Sequence, residues 1–266
     1  MRFIEKLLNA SRKNESWLCI GLDPDPELMP EADILQFNKA VIEATSDLVC
    51  AYKPNLAFYE ALGAEGPATL EKTVRHVPDH VPVIGDAKRG DIGSTARAYA
   101  RALFSVLGFD AVTVNPYLGH DSLEPFISYR DKGVFILCRT SNKGATDFQD
   151  LITGGLPLYE AVARKAVEWN THGNVGLVVG ATYPEQLKRV RSICPEMPVL
   201  IPGIGAQGGD LASAVSYGVD AQGEKAIINV SRQILYASKG KDFAQAARSI
   251  ADKIRHQINA YRSEAR

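Results

Sequence analysis

The sequence predicts an α/β fold, a (β/α)8 TIM barrel with an additional N-terminal helix, and three observations predict it. Eight short apolar runs recur along the chain, at 17–22, 48–53, 81–87, 111–115, 133–139, 175–180, 199–202 and 226–231. Segments with helical spacing lie between them, which is the pattern of repeated βα units and a parallel sheet. No Pro/Gly/Ser-rich linker or block of charge divides the 266 residues, so they read as one domain, 1–266. That length buries a substantial core and fits one such barrel. The same alternation also permits a doubly wound open sheet, and periodicity alone leaves both open.

Taken in order, a helix around 3–11 precedes the first strand, which ends in Gly21-Leu22-Asp23-Pro24. The helix at 33–44 starts at Asp33, a good capping residue, and places Ile34, Phe37, Val41 and Ile42 on one face. The second strand ends in Tyr52-Lys53-Pro54-Asn55. Val81-Pro82-Val83-Ile84-Gly85 reads as a short buried strand bounded by a turn signal. Side chains alternate along a strand, so Asp86 and Lys88 are expected on one side, with Asp91 following in the loop. Helices at 94–107, 158–168, 184–192 and 209–217 separate the later strands. A last helix starts at Asp242, with Phe243, Ala247, Ile250, Ile254 and Ile258 at helical spacing.

Composition excludes several classes of function. A formal charge of -1 carries no electrostatic footprint for nucleic acid or an anionic membrane, so an anionic ligand has to be met by local charge. No apolar run is long enough to span a bilayer, and the first residues lack the apolar core of a signal peptide, so the expected compartment is the cytoplasm. Cys19, Cys50, Cys138 and Cys194 are far apart and lack metal-ligand spacing; they read as buried free thiols.

Active sites of (β/α)8 barrels lie at the carboxyl ends of the strands, which makes the polar residues there the candidates. Lys53 ends the second strand, and the third runs into Asp86-Ala87-Lys88-Arg89-Gly90-Asp91. Lys53, Asp86, Lys88 and Asp91 alternate cation and anion, so each ammonium is held charged by neighbouring carboxylates. In a pocket such a set handles protons; on an open surface it is a solvated ion-pair cluster.

A second cluster follows at the seventh and eighth strands. Pro202-Gly203-Ile204-Gly205-Ala206-Gln207-Gly208-Gly209 lets backbone N–H groups approach an anion, and Arg232 ends the next strand in Asn229-Val230-Ser231-Arg232. Loops after strands seven and eight are where such barrels often bind phosphate, and the helix at 210–217 is expected to add its positive end. Gln207 is placed to close over the phosphate. The fifth strand ends in Arg139-Thr140-Ser141-Asn142, whose hydroxyls and amides suit either a planar polar ring or an ordinary turn. His120 stands alone, without ligand spacing, and reads as a polar loop residue.

Together Gly21-Leu22-Asp23, Tyr52-Lys53-Pro54, Val83 to Gly93, Pro202 to Gly209 and Val230-Ser231-Arg232 resemble the orotidine 5'-monophosphate decarboxylase family, and its bacterial subgroup most. The resemblance covers nearly the whole chain. It implies a carboxy-lyase of pyrimidine biosynthesis that removes carbon dioxide from C6 of orotidylate to form UMP, without metal or organic cofactor. It implies that Asp23 and Lys53 contact the ribose, that Ser141 hydrogen-bonds the pyrimidine, that Pro202 borders it, and that Gln207 and Arg232 bind the phosphate. Ser231, also near the phosphate, stands where many members have glycine. Asp91, Ile92 and Thr95 are implied to reach into the site of a partner subunit, so a homodimer is expected. The segments 117–125 and 142–156 receive no chemical role.

Two other functions remain on the residues alone. A metal-dependent sugar-phosphate decarboxylase or aldolase shares Asp86, Lys88 and Asp91, but it needs carboxylates free to hold a divalent cation. A non-catalytic nucleotide-binding barrel needs no complete set of charges.

Overall fold

The computed structural model describes residues 1–31, 33–205 and 208–264. Ten strands form in chain order: β1 (Leu18–Gly21), β2 (Ala51–Lys53), β3 (Ile84–Arg89), β4 (Ala111–Val114), β5 (Gly133–Arg139), β6 (Ile152–Thr153), β7 (Leu156–Pro157), β8 (Val175–Val179), β9 (Val199–Ile201) and β10 (Ala226–Val230). Eight of them make one parallel sheet in the order β2-β1-β10-β9-β8-β5-β4-β3. The bridges Tyr52 to Val83 and Asn55 to Asp86 join its two edges and close the barrel. Closure decides between the two architectures the periodicity permits. Apart from the carboxyl end of β3, where Lys88 is exposed, the sheet strands are largely buried on both faces, which is why they read as apolar runs.

Eight helices follow the eight barrel strands in turn: α2 (Ile34–Thr45), α4 (Gly66–His76), α5 (Gly93–Arg101), α6 (His120–Ile127), α7 (Leu158–Trp169), α8 (Pro184–Ile193), α9 (Leu211–Gly218) and α11 (Phe243–Glu264). The short helices α3 (Leu56–Glu60) and α10 (Arg232–Leu235) sit at the ends of β2 and β10. Asp33 caps α2 as expected, accepting from the N–H groups of Leu35 and Gln36. The helix expected at 94–107 divides in two: α5 ends at Arg101 and a π-helical turn, Ala102–Val106, completes it. Part of the segment 117–125 is helical, as α6, and 152–157 forms the small antiparallel hairpin β6-β7.

The N-terminal helix α1 (Phe3–Lys13) covers the end of the barrel where strands begin. The Phe3 ring meets Phe135 edge-on at 5.7 Å, and a Cβ at Gly133 would collide with the Phe3 ring. Lys6 Nζ donates to Asp110 Oδ2 at 2.8 Å, just before β4. With that mouth filled, the carboxyl ends of the strands are left as the open face. None of the described helices is long and apolar enough to cross a membrane. All four cysteines are buried and free.

Candidate active site

A cavity of about 720 Å³ opens at the carboxyl ends of the barrel strands. Asp23, Lys53, Asp86, Lys88, Ser141, Pro202, Ser231 and Arg232 all line it. Lys53 is 3% exposed at the end of β2, and its Nζ lies 3.0 Å from Asp86 Oδ2. Lys88 Nζ reaches the other oxygen, Oδ1, at 2.6 Å. Burial alone would raise the Asp86 carboxyl, but attraction to Lys53 and Lys88, with their hydrogen bonds, outweighs it and holds the group well below the usual carboxylate range. Burial likewise works against the Lys53 ammonium, and attraction to Asp86 and then Asp23 holds it above the usual lysine range.

Asp86 and Lys88 meet as the alternation of a strand predicts, but by another route. β3 pairs with β4 at Gly85 to Val112 and next at Arg89 to Val114, so the strand bulges between them. Lys88 has a φ of 46°, in the left-handed region that side chains disfavour. Both Asp86 oxygens have donors, from Lys53, Lys88 and the Thr113 hydroxyl. A metal site at this carboxylate would have to displace them, and no group of metal-ligating side chains occurs among the described residues.

The structure does not bring every candidate together. Asp91, Ile92 and Thr95 lie outside the cavity of their own chain. Asp91 Oδ1 accepts from the Ile92 N–H at 2.8 Å, and Ile92 is 58% exposed. Gln207 lies outside the described residues. The start of α9 is not open as expected: Asp210 caps it, accepting from the Ser213 N–H at 2.8 Å. The Ser231 hydroxyl is turned to the Asp23 carboxylate, to which it hydrogen-bonds. Asp23 Oδ1 also accepts from the Asn55 N–H at 3.2 Å, so the carboxylate is fixed from two strands. Gly203 borders the cavity with φ at 101°, a conformation that requires glycine. Arg232 stands exposed at the rim, without a carboxylate partner among the described residues.

Several residues that line or support the cavity carry no individual signal in the sequence. Tyr236 fixes the loop after β1, donating to the Asp23 carbonyl at 2.8 Å and accepting from the Asp25 N–H at 2.7 Å. Gln149 exchanges hydrogen bonds with Thr140, taking its N–H at 2.8 Å and donating to its hydroxyl at 2.9 Å. Arg139, fully buried, holds that loop through both oxygens of Asp150 at 2.9 and 3.0 Å and lies 3.7 Å from the Tyr183 ring centre. Among the site residues not singled out from the sequence, Thr113 has a readable mark, a lone hydroxyl within Ala111-Val112-Thr113-Val114.

Comparison with known proteins finds one family and the same fold. The profile of the Orotidine 5'-phosphate decarboxylase / HUMPS family matches residues 16–250. An orotidine 5'-phosphate decarboxylase of Dehalococcoides mccartyi is 57% identical over 267 residues, covering 98% of this chain and 99% of that protein. Among solved structures, the OMP decarboxylase of Leishmania donovani superposes with a TM-score of 0.88 at 45% identity, over 99% of this chain and 100% of that one. The UMP synthase of the same organism superposes at 0.92 with 47% identity, and the match covers 98% of this chain but 57% of that longer one.

Proposed function

The chain belongs to the orotidine 5'-phosphate decarboxylase / HUMPS family and is an enzyme of its decarboxylase branch; from that premise we propose that it converts orotidine 5'-monophosphate to UMP and carbon dioxide through Lys88, without metal or organic cofactor. The observation that carries this reading is the Lys53-Asp86-Lys88 array, two ammonium groups on opposite oxygens of one carboxylate inside the cavity.

Loss of carbon dioxide from C6 leaves an electron pair in the plane of the ring, where the π system delocalises it poorly. A fixed cation beside that carbon is therefore the useful group. Lys88 stabilises the developing charge and then transfers its proton to C6, in the place the carboxylate left. Asp86 keeps the ammonium aimed, and its own negative charge faces the departing carboxylate. Lys53 keeps Asp86 ionised, and with Asp23 it contacts the ribose. Asp91 completes the tetrad from the partner subunit of a homodimer, with Ile92 and Thr95 entering beside it. The position of all three outside their own chain's cavity supports that assignment.

Ser141 and Pro202 receive the pyrimidine, and Arg232, Gln207 and the backbone at Ser231 receive the phosphate. β10 and β3 are three places apart round the barrel, by way of β1 and β2, so the phosphate is held away from the reacting carbon. Binding energy from the phosphate then serves to close the site and exclude water. Incubation with orotidine 5'-monophosphate tests the reading, with equal amounts of UMP and carbon dioxide expected. Binding without turnover would indicate a nucleotide-binding barrel instead.

A further inference from the structure

We propose that Thr113 is a positioning residue, whose hydroxyl holds both the backbone and the ammonium of Lys88 in place for the reaction. The proposal rests on the decarboxylase reading for its kinetic consequence and on the geometry of the β3 bulge for its cause.

Three residues of β3, Asp86, Ala87 and Lys88, stand opposite the single residue Thr113 of β4. The left-handed φ of Lys88 is unfavourable for a side chain with a Cβ, so surrounding contacts have to enforce it. Thr113 supplies them. Its Oγ1 accepts from the Lys88 backbone N–H at 3.0 Å and donates to Asp86 Oδ1 at 2.8 Å. The same Asp86 oxygen takes the Lys88 ammonium at 2.6 Å. A closed ring results, from hydroxyl to carboxylate to ammonium, and back along the lysine to its own N–H.

The polarity of that ring is fixed. Asp86 is held ionised and is only an acceptor, so the one hydroxyl proton of Thr113 goes to it. The oxygen is then left to accept from Lys88. Thr113 is 1% exposed, so water does not replace these bonds easily. The Lys88 side chain, by contrast, is 48% exposed, and packing alone does not hold its long stem. The hydroxyl thus anchors the lysine where it leaves the backbone, and Asp86 anchors it at its tip. Small displacements of a reacting group cost large factors in rate, so this anchor bears on turnover without touching substrate.

Three variants test the proposal: T113V, nearly isosteric without the hydroxyl, T113A, a second hydroxyl-free form should valine disturb folding, and T113S, which keeps it. T113V and T113A are expected to lose roughly 10- to 100-fold in kcat, with KM and UMP affinity within about threefold of wild type. T113S is expected to stay within about fivefold in kcat. Wild-type kcat in T113V, a loss as large in T113S, or a loss carried by KM would each overturn the positioning role. A wild-type enzyme inactive on orotidine 5'-monophosphate would defeat the decarboxylase reading instead. The geometric half is then judged by a crystal structure of T113V: Lys88 relaxing to negative φ supports the anchor, and an unchanged positive φ overturns it.

Discussion

Lys53 and Asp86 form an ion pair of 3.0 Å at the base of the cavity, between side chains only 4% and 12% exposed. Burial of both charges is unfavourable singly, and the pair persists because each supplies the other's counter-charge, with Lys88 and Thr113 taking the remaining carboxylate oxygen.

The pair sets a pH dependence of stability. Asp86 is held below its unfolded value, so its contribution is complete above about pH 4 and is lost as pH falls towards the folded value. Lys53 is held above its unfolded value, so its contribution is complete below about pH 10 and is lost as pH rises further. The difference in unfolding free energy between wild type and D86N should therefore shrink by up to about 1.4 kcal/mol per pH unit below about pH 4. Urea unfolding of both at several pH values measures it, and a pH-independent difference would contradict the assignment.

Arg232→Ala should act on the phosphate. The expected result is a KM for orotidine 5'-monophosphate raised by roughly 10- to 1000-fold, matching the loss of a charge-assisted pair of hydrogen bonds. Phosphate-free orotidine should be a poor substrate for wild type and show little further loss in the variant. An unchanged KM with the nucleotide removes Arg232 from the phosphate site.

Arg139→Met should loosen the loop that carries Thr140 and Ser141. Asp150 would lose both guanidinium bonds, but its side chain is 36% exposed and can turn to water. The expected cost is about 1–3 kcal/mol in thermal or urea unfolding, with faster proteolysis within 142–156. A variant as stable and as protease-resistant as wild type would show that the ion pair does not organise the loop.

Mixing two inactive enzymes tests the shared site. If Asp91 serves the site of a partner subunit, Lys88→Ala and Asp91→Ala subunits, refolded together, should regain activity, because one of the two sites in a hybrid dimer would then carry neither substitution. Up to about a quarter of wild-type activity is expected if subunits mix freely and one site per hybrid is intact. No recovery, with hybrids demonstrated by mass, would place all four charges within one chain.

Much of the barrel is legible in the residues because parallel strands buried on both faces are written as continuous apolar runs. The helices are less evenly marked. α4 opens with Gly66-Pro67 and is mostly polar, and α6 follows a glycine with φ at 88° and contains Pro125, so neither shows a clean stripe. The hairpin β6-β7 has two-residue strands joined through Gly154 and Gly155, too short for alternation to register. In the site, charged strand ends are legible one by one because a barrel exposes them on a single face. The left-handed Lys88 is not legible, since it depends on a hydrogen bond to Thr113 from a different strand. The turn of Ser231 towards Asp23 is hidden for the same reason: the two are 208 residues apart in sequence.

The proposed function requires that Lys88 and its carboxylate partners decarboxylate the nucleotide without a metal. Turnover of orotidine 5'-monophosphate by wild type and K88A, each freed of metal and assayed in excess chelator beside a UMP-binding measurement, tests it most directly. Wild type should release UMP and carbon dioxide in equal amounts at a rate the chelator does not change, while K88A binds UMP but loses at least about a thousandfold in turnover. Chelator-sensitive turnover in wild type, or near-normal turnover in K88A, would rule out metal-free decarboxylation through Lys88.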